Sequence, residues 1–344
     1  MRRSRRFSVI ISFCLIKILF ILVFALLKLF VPSGYDGLPL NFKKDVNKTC
    51  TIRFITLPWR YTEKNNYFTI FLIKSAVKFS KRRASIRKTW GSIASIDGKK
   101  FGAIFLVGSA LTSRDQEFLE RENEMFGDIL QSNVSDAYKS LPKKVLSGFK
   151  FLSERSYLKT VFVASTDDDC FVNIPQFYDY FSWNQPSKLN GIHCGWVYND
   201  KETPIRDPKS KWHVPTSMYP KDYFPPLCHG GLVILSVRHV RKLYGTSLHT
   251  EYGDFPLEDV LIFGILRQKT EDSFHDKSFR VSRINERAKL RFPKQKLVHH
   301  LHFSTDISND MRKRWITSLS ILKVDNSTTN NFKTKLDYLL NSNT

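Results

Sequence analysis

The chain has 344 residues, 42% of them hydrophobic and 25% charged, with a formal net charge of +22. That composition excludes a disordered polymer and suits one sizeable domain with appendages, or two small ones. The positive field attracts anions, but there is no zinc-finger spacing and no helix with a clean basic stripe, so nucleic acid is not an expected partner.

The N-terminus reads MRRSRRFSVIISFCLIKILFILVFALLKLFVPSG. Residues 1–6 carry four arginines and form a predicted cytosolic tail. Residues 7–31 are mostly apolar and long enough to cross a bilayer as one helix. The apolar run is too long for a cleavable signal peptide and lacks a small-residue cleavage site, so it reads as a signal anchor. Lys17 and Lys28 lie inside it, each costing about 2.5–3.5 kcal/mol at a bilayer centre. Lys28 is close enough to one end to snorkel. The body would then lie on the far side of the membrane, where Asn47, Asn133 and Asn326 open three acceptor sequons. Cys50, Cys170, Cys194 and Cys228 would meet an oxidising compartment there, and four cysteines allow three complete pairings that spacing does not separate.

Residues 32–65 have little periodicity and read as a stem. From there the pattern alternates. YFTIFLIKS is an apolar run suited to a strand buried on both faces. SKRRASIRKTWG reads as a helix capped by Ser80 and stopped at Gly91. FGAIFLVGS is a second buried strand, SRDQEFLERENEMFG a helix ending at Gly127, and PKKVLSGFKFLSERS a helix opened by Pro142. TVFVAS is the next strand. CHGGLVILS and LVHHLHF look like strands, and LEDVLIFGILRQK looks helical. Alternating strands and helices predict an α/β domain with a mostly parallel sheet over residues 66–318, followed by a polar tail, 319–344.

Asp167, Asp168 and Asp169 follow TVFVAS directly. Close carboxylates repel by about 3 kcal/mol per pair at roughly 5 Å and an intermediate dielectric. In open α/β sheets ligands bind at the carboxyl ends of strands, where this run sits. A hard divalent cation would relieve the repulsion; the structural alternative is an Asp-rich turn capping the next helix. Three adjacent aspartates lack the alternate-residue spacing of an EF-hand loop.

Six stretches, in order, resemble one known family: RRASIRKTWG (82–91), FLVG with FGDILQSNVSDAYKSLPKK (105–108, 126–144), TDDDCFVN (166–173), YFPPLCHGGLVILS (223–236), LEDVLIFGIL (257–266) and VHHLHFSTDISNDMRKRW (298–315). The chain resembles glycosyltransferase family 31, the beta-1,3-galactosyltransferase and beta-1,3-N-acetylglucosaminyltransferase group. That resemblance implies a GT-A fold behind a Golgi membrane anchor, with the catalytic domain lumenal. It implies an inverting transfer of a hexose or N-acetylhexosamine from a UDP-sugar, held through a divalent metal, usually manganese, to a hydroxyl of a glycan on glycoprotein or glycolipid. The rival reading is an inactive lumenal member acting as a binding or chaperone-like subunit.

Residue by residue, the resemblance makes Asp169 the metal ligand, with Asp167 and Asp168 toward the donor, and a closing-segment histidine, His302 ahead of His300, completing the coordination. Asp259 would be the general base, with Glu258 supporting it; both precede an apolar helical run, whose start should lower a carboxylate pKa. Arg83 and Arg87 are four apart on one helix face and would suit the donor's phosphate and uracil oxygens; Lys74 is a further donor candidate. Trp196, Tyr198, Trp212 and Tyr219 are aromatic candidates for stacking on the acceptor. The sequence also departs from the family pattern. Cys170 stands where Val is usual and, one residue after Asp169 on an extended chain, reads as a buried thiol on the opposite side. Gly264 falls one residue later than the usual spacing.

Overall fold

The computed structural model describes residues 51–182, 191–194, 197–198, 201–270, 274–275, 281–283, 297–301 and 304–324. The chain divides into Met1–Val46 and Asn47–Thr344, and every described residue belongs to the second unit. The predicted anchor, Cys50, Asn47, Asn326, His302 and Trp196 lie outside the described residues. Among the described residues no helix is long and apolar enough to cross a membrane.

Strands and helices alternate as predicted through the first half. β1 (Phe54–Thr56) and β2 (Asn65–Lys74) precede α1 (Ser80–Lys88). β3 (Ser95–Ile96) and β4 (Lys99–Ser109) lead to α2 (Ser113–Phe126). β5 (Ile129–Ser135), α3 (Leu141–Glu154), β6 (Leu158–Asp167), β7 (Cys170–Val172) and α4 (Ile174–Ser182) follow. The second half holds β8 (Ile192–Cys194), β9 (Val197–Tyr198), β10 (Leu227–Cys228), β11 (Leu232–Ser236) and α5 (Val237–Leu248). A short α6 (Glu258–Val260) continues through a π-helical stretch, Leu261–Leu266, into Arg267–Thr270. β12 (Phe274–His275), β13 (Val281–Arg283), β14 (Val298–His300) and α7 (Ile307–Val324) complete the described fold.

The main sheet has the order β1-β5-β4-β2-β6-β11-β8-β12, with β3 attached to β4. Its centre, β5-β4-β2-β6, is parallel, as right-handed crossover units require. β11 then runs antiparallel to both β6 and β8. A second sheet, β13-β14-β7, sits at the carboxyl end of β6. In β2, Ile70 and Leu72 face one core and Phe71 and Ile73 the other. The strand is buried on both faces, which explains its unbroken apolar run. The second core is aromatic: Phe71 packs on Trp90 and Phe177, and Phe162 on Phe181. Each such side chain contributes on the order of 2–3 kcal/mol by leaving water.

The helix ends show where local signals hold. Gly127 takes the left-handed conformation at φ 62° and its N–H donates to the Asn123 carbonyl, as a glycine stop should. At α1 the expectation differs from the finding. Ser80 is already helical (φ −52°, ψ −38°) because the single turn Val77–Phe79 runs straight into the helix, so no hydroxyl cap is made. The helix ends at Thr89 rather than Gly91. Asn133 lies in β5; its Oδ1 accepts from the Arg53 amide (2.8 Å) and its Nδ2 donates to the Thr51 carbonyl (3.2 Å). A glycan on Asn133 would compete with that pairing.

Among the described residues one disulfide forms, Cys194–Cys228, which joins β8 to β10 and closes a separation of 34 residues. Cys170 is a buried free thiol. Closing a loop of this size constrains the unfolded chain by about 3–4 kcal/mol. Replacing Cys194 and Cys228 together by alanine should therefore lower unfolding free energy by several kcal/mol in urea titrations. An unchanged midpoint would show the bond to be energetically idle.

Candidate active site

The site forms where β2 and β6 end side by side. Lys74 and Asp167 are register partners across these parallel strands, so both side chains emerge at the carboxyl edge of the sheet. The Lys74 ammonium is buried; it lies 3.1 Å from Asp167 Oδ1 and 3.1 Å from Glu258 Oε2, and donates to the Gly230 carbonyl at 2.8 Å. One cation thus joins the aspartate run to the start of α6. Gly230 makes this possible: a Cβ there would stand 2.7 Å from Glu258 Oε2 and 3.3 Å from Lys74 Nζ.

Asp168 turns the other way. Its Oδ2 accepts from Ser75 Oγ at 2.7 Å and its Oδ1 from the Arg82 guanidinium at 2.9 Å. Arg82 also comes within 3.9 Å of Asp169 and lies over the Phe79 ring. Asp169 Oδ1 meets His300 Nε2 at 3.2 Å. His300 is delivered by β14, which pairs antiparallel with β7 immediately after the aspartates.

The local electrostatics are unbalanced. Asp167, Asp168, Asp169, Glu258 and Asp259 gather around two permanent cations, Lys74 and Arg82. Burial pushes Asp167 up despite Lys74, and pushes Asp168 up to about 6 despite the bonds from Arg82 and Ser75. Burial likewise lifts Glu258 to about 7, against the pull of Lys74. Lys74 is lowered by burial, but the charges of Asp167 and Glu258 reverse this and hold it above its ordinary range. For Asp259 burial outweighs Lys74 and the Val260 amide (3.0 Å), and its carboxyl is raised. The expected lowering by the helix start is thus overturned by the desolvation of the carboxyl. Burial lowers His300, but the hydrogen bond and charge of Asp169, with Asp167, leave it raised.

A divalent ion fits this donor set. The ligand atoms of Asp167, Asp169, Cys170 and His300 all lie within 4.8 Å of one another, in a site with surplus negative charge. Carboxylate and imidazole donors suit manganese and its neighbours.

The structure brings together Asp167, Asp168, Asp169, Glu258, Asp259 and His300, six of the residues singled out from sequence. It does not bring Arg83 or Arg87 to them. Arg83 is buried on Glu122, Ser75 and the Ala76 and Val77 carbonyls. Arg87 is paired with Glu122 and Asp128. They sit one helix face away from Arg82, saturated by carboxylates that sequence spacing could not reveal. His299 faces away from His300, toward Phe171, with Nδ1 3.1 Å from the Arg314 guanidinium. Tyr219 packs on Phe224 and Phe255. Trp212 remains open at the rim, under Lys211 and beside Tyr138. Sequence reading passed over the brace beneath the site. Asp136 accepts from the Val77 and Gly108 amides, and Lys144 joins Asp136 to the Ser75 carbonyl. Both residues lie in the SDAYKSLPKK stretch, where a charged pair eight apart was the only signal.

A family model described as Galactosyltransferase matches residues 81–277, more than half of the chain. The chain belongs to that family. The match includes the aspartate run, Gly230 and the Glu258–Asp259 pair; His300 lies beyond it. Beta-1,3-galactosyltransferase 1 of Mus musculus and of Homo sapiens are each 32% identical over 217 residues, 63% of this chain and 65% of the relative. Beta-1,3-galactosyltransferase 5 of Gorilla gorilla gorilla is 30% identical over 221 residues, 64% of this chain and 70% of the relative. The chain thus spans just under two thirds of the first relatives' length. Among solved structures, an active-site mutant of LgtC matches 71% of this chain and 94% of its own at 11% identity and a TM-score of 0.33, a likeness too distant to establish a shared fold.

Glu258 gives this galactosyltransferase-family chain a pH signature. Its folded pKa, about 7, lies above the ordinary 4.5, so the folded chain holds its proton more tightly than the unfolded chain. That contribution is present below the unfolded pKa and is lost as pH rises through the folded one. Without divalent ions, the parent should lose melting temperature relative to Glu258→Gln between about pH 5 and 7. Parallel melting profiles would show Glu258 to titrate as an ordinary surface acid.

Proposed function

We propose that the chain is an inverting, metal-dependent glycosyltransferase of GT-A type. It would move a sugar from a UDP-sugar to a glycan hydroxyl in beta-1,3 linkage, from a type II position in the Golgi membrane held by residues 7–31. The observation that carries this reading is the shared buried cation: Lys74 fixes the aspartate run and the Glu258–Asp259 pair against each other at the carboxyl edge of the sheet. A donor site and a base, held a constant distance apart, are what transfer between two bound sugars needs. The similarity to beta-1,3-galactosyltransferases 1 and 5 favours galactose as the sugar.

Asp169 and His300 would hold the divalent ion, which when bound supplies positive charge for the leaving diphosphate. Arg82, partly exposed beside Asp168 and Asp169, takes the phosphate-facing role first assigned to Arg83 and Arg87. Asp259 Oδ1 is engaged by the Val260 amide, so Oδ2 receives the acceptor proton. As that O–H bond breaks, the hydroxyl oxygen bonds to the anomeric carbon, and the bond from that carbon to the diphosphate oxygen breaks with its electron pair going to UDP. A carboxylate raised by burial is the stronger base for this step. Attack opposite the leaving group inverts the anomeric centre without a covalent enzyme intermediate. Five converging carboxylates also speak against the inactive binding-subunit reading, which has no use for their repulsion.

The test is UDP release from a panel of UDP-sugars by the detergent-solubilised chain with manganese, with and without glycan acceptors. Turnover of one UDP-sugar, UDP-galactose first, is expected; a folded preparation that releases UDP from none supports the binding-subunit reading instead. Asp259→Asn should keep near-parental UDP and manganese binding while transfer falls by about 10²-fold or more. Substantial transfer by that variant would remove Asp259 from the chemistry. Asp169→Asn should abolish the thermal stabilisation given by UDP with manganese; an undiminished shift would move the ion elsewhere.

A further inference from the structure

Cys170 does not lie where an extended chain would put it. Asp168 and Asp169 occupy a turn between β6 and β7, so the alternation of sides is broken before the cysteine. In the antiparallel pairing of β7 with β14, Cys170 stands directly opposite His300, and Phe171 opposite His299. Directly opposed residues share one face of a sheet, with Cβ atoms about 4.5–5.5 Å apart. The thiol and the His300 imidazole therefore project to the same side, while Phe171 and His299 meet on the other.

Cys170 Sγ accordingly falls among the donor atoms of Asp167, Asp169 and His300, all within 4.8 Å of one another. Two donors around one small ion can stand no farther apart than two bond lengths, about 4.2–4.5 Å for sulfur, nitrogen and oxygen ligands. Shifts of a few tenths of an ångström would close the set. Sγ also donates to the Gly231 carbonyl at 3.3 Å, a weak bond to displace, with the Thr166 side chain and the Asp167 backbone as further hydrogen-bonding neighbours. Gly231 has no side chain to fill the space: a Cβ there would lie 3.8 Å from His300 Nδ1.

We propose that Cys170 is an ion ligand, and that its sulfur tilts this site toward softer divalent ions of the zinc, cobalt and cadmium type. The inference rests on the reading of Asp169 and His300 as ion-holding residues. Carboxylate oxygens favour magnesium and manganese, whereas thiolate and imidazole favour zinc-like ions. As the sulfur–metal bond forms, the S–H bond gives its proton to solvent, so one proton is released per ion bound.

The experiment is a titration of the detergent-solubilised full chain, under a phosphine reductant, with cobalt(II) and with cadmium(II), read by absorbance. A thiolate-to-metal charge-transfer band is expected in the parent and should be lost in Cys170→Val and Cys170→Ser. Cys14 and Cys50 remain in both variants, so the loss reports position 170 alone. In competition measurements, Cys170→Val should weaken cadmium binding by about tenfold or more, the scale set by disturbing groups around a metal, and leave manganese binding little changed. Cobalt bound without a charge-transfer band, with manganese still promoting UDP binding, overturns the role of Cys170 and leaves the ion site standing. A chain that binds none of these ions overturns both. A band that persists in Cys170→Val assigns the sulfur to another cysteine and overturns the proposal.

Discussion

The site depends on one ammonium group. Lys74 is buried between two carboxylates that come from strand ends and a helix start far apart in sequence, and its third hydrogen bond goes to the Gly230 carbonyl. Asp167 and Glu258 could not both be withdrawn from water without it, since each unpaired buried ion costs several kcal/mol. The sheet register places Lys74 beside Asp167, and the missing side chain of Gly230 lets Glu258 approach from the other direction. A side chain at 230 or a shorter cation at 74 would separate the two halves of the site.

That contact also limits what the aspartates can do. Asp167 is committed to Lys74 and Asp168 to Ser75 and Arg82. Asp169 faces outward to His300 and the neighbouring thiol. The three carboxylates of one short run therefore have three different environments. Two are tied to cations of the scaffold, and the third is turned toward His300. The opposite arrangement, three equivalent carboxylates on an exposed turn, would be diluted by water and have no use for the buried Lys74.

Much of this was legible in the sequence, and the misses have physical causes. The alternating apolar runs fixed the α/β class because strands buried on both faces cannot hide their composition. The aspartates were conspicuous because such a density of charge after a buried strand needs a cation. Helical spacing puts Arg83 and Arg87 on one face but does not say what meets that face; Glu122 and Asp128 arrive from another helix and loop to pair both guanidiniums. Cys170 was assigned to the wrong side because alternation holds only within a strand, and a turn at Asp168–Asp169 separates it from β6. The antiparallel strands of the second half carry little signal, since several are only two or three residues long.

The late position of Gly264 has its own structural answer. An extra residue in an α-helix rotates every later side chain by about 100°, which would turn the buried face of this helix outward. Here the chain widens into a π-helical stretch, Leu261–Leu266, directly after the Glu258–Asp259 turn. A π turn closes one residue later than an α turn and so takes up the insertion locally. Gly264 stays against Pro225 and Leu227, where a Cβ would lie only 3.3 Å from each, and Leu261, Ile262, Phe263 and Leu266 all remain buried. Glu258 at the start of the helix is bonded to Lys74, and Leu227 of the β9–β10 pair packs against Gly264.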